Sequence, residues 1–144
     1  MFVKMVWLMF IVGLLYGCTV SKARLDDVYP YHSMIGKKYI LLRDCKLVDR
    51  TLKLPYLYPE YIVYPENKKV TGSGLLGSDF EIIHVDFEEN MATRGISYEV
   101  LITTPNGEKI EACAEQQMLS IDWVDGNWDS IPHFMAPLVK ELEK

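Results

Sequence analysis

Ile96-Ser97-Tyr98-Glu99-Val100-Leu101-Ile102-Thr103, then Pro105-Asn106-Gly107-Glu108, then Lys109-Ile110-Glu111-Ala112, is the stretch that decides the fold. Ile96, Tyr98, Val100 and Ile102 alternate with Ser97, Glu99 and Thr103. A period of two puts one set of side chains on each face of a strand. Asn-Gly favours the tight turn whose twist matches two antiparallel strands. Ile110 and Ala112 then continue the inward face of the returning strand.

Working outward, Asp79 to Phe87 reads as another strand, with Ile83, Val85 and Phe87 on one face. Thr71 to Gly77 reads as a glycine turn before it. Ile35 to Val48, with Tyr39-Ile40-Leu41-Leu42 and Leu47-Val48, is apolar on both faces, as a buried strand would be. Pro55 to Pro65 reads as a long tyrosine- and proline-rich loop. Trp123 and Trp128 surround an Asp125-Gly126 turn. Phe134, Leu138 and Leu142 fall four apart, so Ile131 to Lys144 predicts a short C-terminal helix with Pro137 in its first turn. The expected architecture is mainly β: a small antiparallel barrel with a long early loop and that helix.

The N-terminus reads as an export signal. Lys4 is the only charge before Lys22, and Met5 to Tyr16 is apolar apart from Gly13. Twelve residues are too few for a helix across a bilayer core of about 30 Å. The ending Leu15-Tyr16-Gly17-Cys18 resembles the lipobox of bacterial lipoproteins, with Tyr16 standing where a small residue is usual. The resemblance implies cleavage of residues 1–17 as signal peptide and lipidation of Cys18, palmitate included. Acyl chains contribute about 0.8 kcal/mol per buried methylene, so two or three hold a protein to a membrane. Residues 18–31 are expected as a lipidated tether and residues 32–144 as one globular domain. Thr19, rather than aspartate, follows the cysteine. In that family this implies an outer-membrane lipoprotein facing the periplasm, if the cell has an outer membrane.

Without residues 1–17 the chain keeps 14 basic and 20 acidic residues, a net charge of −6. An acidic chain lacking a basic stripe argues against nucleic acid as a partner and leaves room for a basic protein. Of three cysteines, Cys18 goes to lipid. Cys45 and Cys113 remain as an even pair in an oxidising compartment, expected as a disulfide, the alternative being two buried free thiols.

A second resemblance lies within the domain. Gly36-Lys37-Lys38-Tyr39-Ile40-Leu41-Leu42-Arg43-Asp44 is similar to the opening of bacterial Src-homology-3-like (SH3-like) domains. Gly77-Ser78-Asp79-Phe80-Glu81-Ile82-Ile83-His84-Val85 resembles their turn and strand. Over roughly residues 36–115 this implies a small barrel, and a fold does not imply an activity.

No catalytic set assembles. Gly72-Ser73-Gly74-Leu75-Leu76-Gly77 matches a dinucleotide-type glycine pattern but precedes a strand where a helix N-terminus is needed, so an inter-strand turn is expected. His32, His84 and His133 share no metal-ligand spacing, and His84 reads as a surface strand residue. Asp86, Glu88 and Glu89 read as a solvated acidic strand end. No cofactor and no metal is expected. Four tyrosines, Tyr56, Tyr58, Tyr61 and Tyr64, stand among Pro55, Pro59 and Pro65. They offer either a recognition surface or rings folded back over a small core. The expected function is a lipid-anchored envelope binding module without catalytic activity. Its partner would be an envelope protein or a cell-wall component. Alternatives are an inhibitor or immunity lipoprotein against an envelope hydrolase or toxin, and a small cell-wall enzyme.

Overall fold

The computed structural model describes residues 21–50, 53–63, 66–89, 94–119, 121–122, 133–134 and 138–142. Eleven strands run along the described chain: β1 Ser21–Arg24, β2 Lys38–Leu41, β3 Cys45–Arg50, β4 Lys53–Pro59, β5 Val70–Gly72, β6 Asp79–Glu89, β7 Arg94–Thr103, β8 Lys109–Glu115, β9 Ile121–Asp122, β10 His133–Phe134 and β11 Val139–Glu141. A single 3-10 turn, Tyr31–Ser33, is the only helical element among the described residues. No helix there is long and apolar enough to cross a membrane.

The hairpin read first from the sequence is the centre of the molecule. β7 pairs β8 antiparallel from Ser97↔Glu115 to Thr103↔Lys109. Gly107, at φ 86°, takes the left-handed conformation that a side chain disfavours, and its N–H donates to the Thr104 carbonyl. β6 lies on the other side of β7, from Asp79↔Thr103 to Glu89↔Arg94. The sheet runs β11-β2-β6-β7-β8-β4-β3-β5, and β1 adds to β6 beyond the end of β2. Every pairing is antiparallel except β4 with β8, which run parallel at Tyr56↔Cys113. β9 and β10 form a separate two-stranded piece.

Four expectations change here. The sheet is open and mixed, with β11 and β5 at its edges, and is not a closed barrel. No C-terminal helix is seen among the described residues: Val139, Lys140 and Glu141 pair with Leu41, Ile40 and Tyr39. A free edge on β2 offers these residues a hydrogen-bonded ladder, while Leu138 is fully buried beside it. The early part of the expected loop, 55–59, belongs to strand β4. Its leucine core contact, Leu57 opposite Leu47, overrides the prolines around it. Residues 21–24 of the expected tether are also strand.

The single buried strand expected over Ile35–Val48 is two strands. Between them Asp44 Oδ1 accepts from the amides of Cys45 and Leu75, at 2.9 and 2.7 Å, and fixes the bend. In β6 the register shifts between Ile82 and His84. That bulge changes the phase of the strand. Phe80 and Ile82 face the core before it and Val85 after it, so Ile83 is not on the inward face with Val85.

The core lies on one face of the sheet. Tyr39, Leu41, Leu47, Leu57, Phe80, Ile82, Val85, Tyr98, Val100, Ile102, Ala112 and Ala114 supply it from the strands. Met34, Leu75, Met118, Leu119 and Leu138 close over it. Leu25, Tyr31 and Ile35, from the crossing between β1 and β2, pack against the same cluster. The early segment is therefore part of the domain.

Candidate functional site

The opposite face of the sheet carries polar chemistry, because register places the intervening residues of each strand in rows. Arg24, Asp86, Ser97 and Glu115 form one such row across β1, β6, β7 and β8. His84, Glu99, Cys113 and Tyr56 form the next across β6, β7, β8 and β4.

One half of this face is ionic. Asp86 is 1% exposed, and two cations lie against it. Lys22 Nζ lies 2.9 Å from its Oδ2, and Arg24 Nε lies 2.8 Å from its Oδ1. Neither oxygen makes an aligned hydrogen bond among the described residues, so the attraction is coulombic. Lys22 also reaches Glu99 at 3.2 Å. The close contact with the Asp86 carboxylate outweighs the effect of burial and raises the Lys22 pKa above its ordinary value. Beside this, Asp26 Oδ1 accepts from the Val85 amide at 2.8 Å, and Oδ2 stands 2.6 Å from His84 Nδ1. Burial opposes the Asp26 charge, but the Val85 and His84 contacts prevail and hold its pKa below the usual value. The acidic strand end is thus not uniformly solvated: Asp86 is buried, while Glu89 is exposed.

The other half is aromatic. Tyr56 and Tyr58 stand edge to face, 6.0 Å between centroids, and the Arg50 guanidinium sits 3.8 Å over the Tyr56 ring. The Tyr56 hydroxyl donates to Glu115 Oε1 at 3.2 Å, and Gln117 Nε2 donates to Glu115 Oε2 at 2.6 Å. Burial first, then Glu115 nearby, pushes the Tyr56 hydroxyl up to about 12. A groove of about 420 Å³ runs between these groups, lined by Tyr56, Glu88, Arg94, Ser97, Glu115 and Gln117 among others. A second hollow of about 470 Å³ lies beside Tyr58, with Lys46, Ile62 and Val63 in its wall.

Compared with known proteins, the chain matches no family model, no curated protein and no solved structure.

Of the expected partner-binding tyrosines, the structure brings Tyr56 and Tyr58 together on β4. Both are half-buried and touch the edge of the core, so each ring serves the fold while Tyr56 also lines the groove and Tyr58 the second hollow. Tyr61 lies in the turn after β4, 44% exposed, with its hydroxyl donating to the Met118 carbonyl at 3.4 Å. Tyr64 and the lipidation candidate Cys18 lie outside the described residues, as do Trp123 and Trp128.

Cys45 and Cys113 are not brought together; both are buried free thiols. Cys45 pairs with Pro59 and Cys113 with Tyr56, so β4 separates them. Two strand spacings of about 4.8 Å already exceed the roughly 7 Å limit for bridged α-carbons. They also point to opposite faces. Cys45 lies with Leu47 in the core, and Cys113 Sγ meets Ser97 Oγ at 2.9 Å on the polar face. Burial pushes the Cys45 thiol up to about 12 and raises that of Cys113. Parity and compartment favour a disulfide, but they carry no information on strand order.

The ion cluster and the Asp26–His84 pair were not expected from the sequence. A signal for the first exists. Lys22 and Arg24 alternate, as do Asp86 and Glu88, so two strands of opposite charge at the same period are candidates to pair. Nothing local marks Asp26 as a partner for His84, 58 residues away. Among the described residues no group of three or more histidine, cysteine, aspartate or glutamate side chains is arranged to hold a metal.

Proposed function

We propose that the protein is a lipid-anchored binding module of the cell envelope, working without catalysis. Its address rests on Leu15-Tyr16-Gly17-Cys18, and in a cell with an outer membrane it belongs on the periplasmic side of that membrane. The observation that carries the binding reading is the groove on the polar face. Tyr56, Glu115 and Gln117 are tied to one another there. Groups held in place lose little freedom when a ligand arrives, which lowers the cost of binding. Glu88, Glu115 and a net charge of −6 in the mature chain favour a basic protein as the partner. Blocking a basic envelope hydrolase or toxin is one form such binding would take.

The test is capture from detergent-solubilised envelope by the mature lipidated protein. Glu88→Gln and Glu115→Gln, both in the groove wall, are expected to weaken capture while costing less than about 1 kcal/mol of stability. A captured set unchanged by both substitutions would overturn the assignment of the groove. Turnover of a cell-wall fragment, abolished by one Asp, Glu or His substitution, would overturn the non-catalytic reading. A purified basic hydrolase inhibited by the protein would select the inhibitor form.

A further inference from the structure

The chain is already in register with the sheet at Ser21. Ser21 pairs with Glu89, Lys22 with Glu88 and Arg24 with Asp86. Antiparallel pairing fixes the direction of β1, so the chain enters the sheet at the end where β6 finishes and β7 begins. Three residues lead from Cys18 to Ser21. Fully extended, they cover at most about 11 Å. A lipid on Cys18 is therefore coupled closely to one end of the sheet.

The groove is at that same end. Glu88 is opposite Gly95 and Glu89 opposite Arg94. Ser97 is opposite Glu115, and the Gln116 amide bonds the Ile96 carbonyl. The Asn106-Gly107 turn is at the far end, beyond the whole of β7. Ten residues at about 3.3 Å each put it roughly 30 Å away.

We propose that the Ser21–Glu89–Arg94 end of the sheet is seated on the bilayer that holds the Cys18 lipid. The groove then opens at the level of the lipid headgroups, and the Asn106-Gly107 hairpin points away from the membrane. This rests on the lipoprotein reading and adds an orientation that the reading does not specify. Charge selects the surface. Glu88, Glu89 and Glu115 outnumber Arg94 at this end, and Lys22 is engaged with Asp86. An anionic surface repels such an end, whereas the ammonium of phosphatidylethanolamine complements it. A partner for the groove must accordingly be presented at the membrane surface.

The test uses the mature chain, residues 18–144, in phosphatidylethanolamine–phosphatidylcholine nanodiscs doped with a nitroxide-headgroup lipid. One sample carries the native lipid. In the other, a diacyl maleimide is coupled to Cys18, which buried Cys45 and Cys113 leave as the reactive thiol. Amide signals of Lys22, Glu89, Arg94 and Gln116 are expected to lose intensity roughly tenfold more than those of Asn106 and Gly107. Replacing half the lipid by phosphatidylglycerol is expected to reduce that loss roughly twofold. Equal broadening at both ends, or stronger broadening at the hairpin, overturns the orientation. Stronger broadening on phosphatidylglycerol overturns the choice of headgroup. The mass of the native product reads lipidation separately. An unmodified Cys18 there, with the gradient present in the coupled sample, sinks the anchor reading and supports the orientation.

Discussion

At the scale of single residues, Tyr98 carries into the core an unmet polar atom whose removal is informative. The Tyr98 hydroxyl is fully buried with no hydrogen-bond partner among the described residues, and burial drives its pKa far upward. A buried hydroxyl left unsatisfied costs about 1–3 kcal/mol. Tyr98→Phe keeps the ring and removes that cost, so stability in urea is expected to rise by about 1 kcal/mol or more; a fall would reveal a partner for the hydroxyl. The two thiols make a second test. With Cys45 raised to about 12, almost no thiolate exists at pH 8. The folded lipidated protein should resist thiol reagents there and show two titratable thiols once unfolded. A protein that shows none after unfolding would be bridged after all. Neither feature is legible in sequence. Tyr98 falls on the inward face as its period requires, but whether its oxygen meets a partner depends on neighbours distant along the chain.

At the scale of elements, β1 stands apart from the other strands. All four of its residues are exposed, so little apolar burial holds it. Backbone pairing to β6 and the charges around Asp86 do that work. The two sides of the ion cluster are not equivalent. Lys22 and Arg24 can return to water, whereas Asp86 cannot. Removing both cations strands a buried charge, a loss of about 3–5 kcal/mol in comparable buried pairs. Lys22→Ala with Arg24→Ala is expected to fall in that range, and adding Asp86→Val should recover much of it; a triple variant no better than the double would refute the account. The pH dependence follows from two shifts. Asp26 has a folded pKa below 3.8, so its contribution is present above that pH and fades as pH falls through the folded value. Lys22 has a folded pKa above 10.5, so its contribution is present below that pH and fades as pH rises through the folded value. Amide protection across β1 and β6 should therefore be flat between about pH 4 and 10 and decline outside it. Asp26→Asn should remove the acid-side decline that belongs to this group.

At the scale of the whole molecule, what the sequence revealed and what it concealed divide by range along the chain. β6, β7, β8 and the Asn106-Gly107 turn are legible because alternation and turn chemistry act between near neighbours. The order of strands is not. β2 meets β6, β4 meets β8 and β11 meets β2 across long intervals, and no local pattern encodes those choices. The C-terminal segment shows the conflict most clearly. Phe134, Leu138 and Leu142 have a helical spacing, yet Leu138 is buried where β11 completes the edge of β2. Its amide neighbours are committed as well: Leu42 N–H donates to the Leu138 carbonyl, and Leu142 N–H to the Lys38 carbonyl. Tertiary pairing thus overrides the spacing. If that account is right, Leu138 is a core residue of the sheet and not one side of a peripheral helix. Leu138→Ala should cost about 2–5 kcal/mol, the usual range for truncating a buried leucine. Lys140→Ala, exposed on the same strand, should change stability by less than about 0.5 kcal/mol. Equal small effects from both would mean that the C-terminal strand is only loosely attached, and the far-ultraviolet circular dichroism of the protein should then contain the helical component that the spacing alone implies.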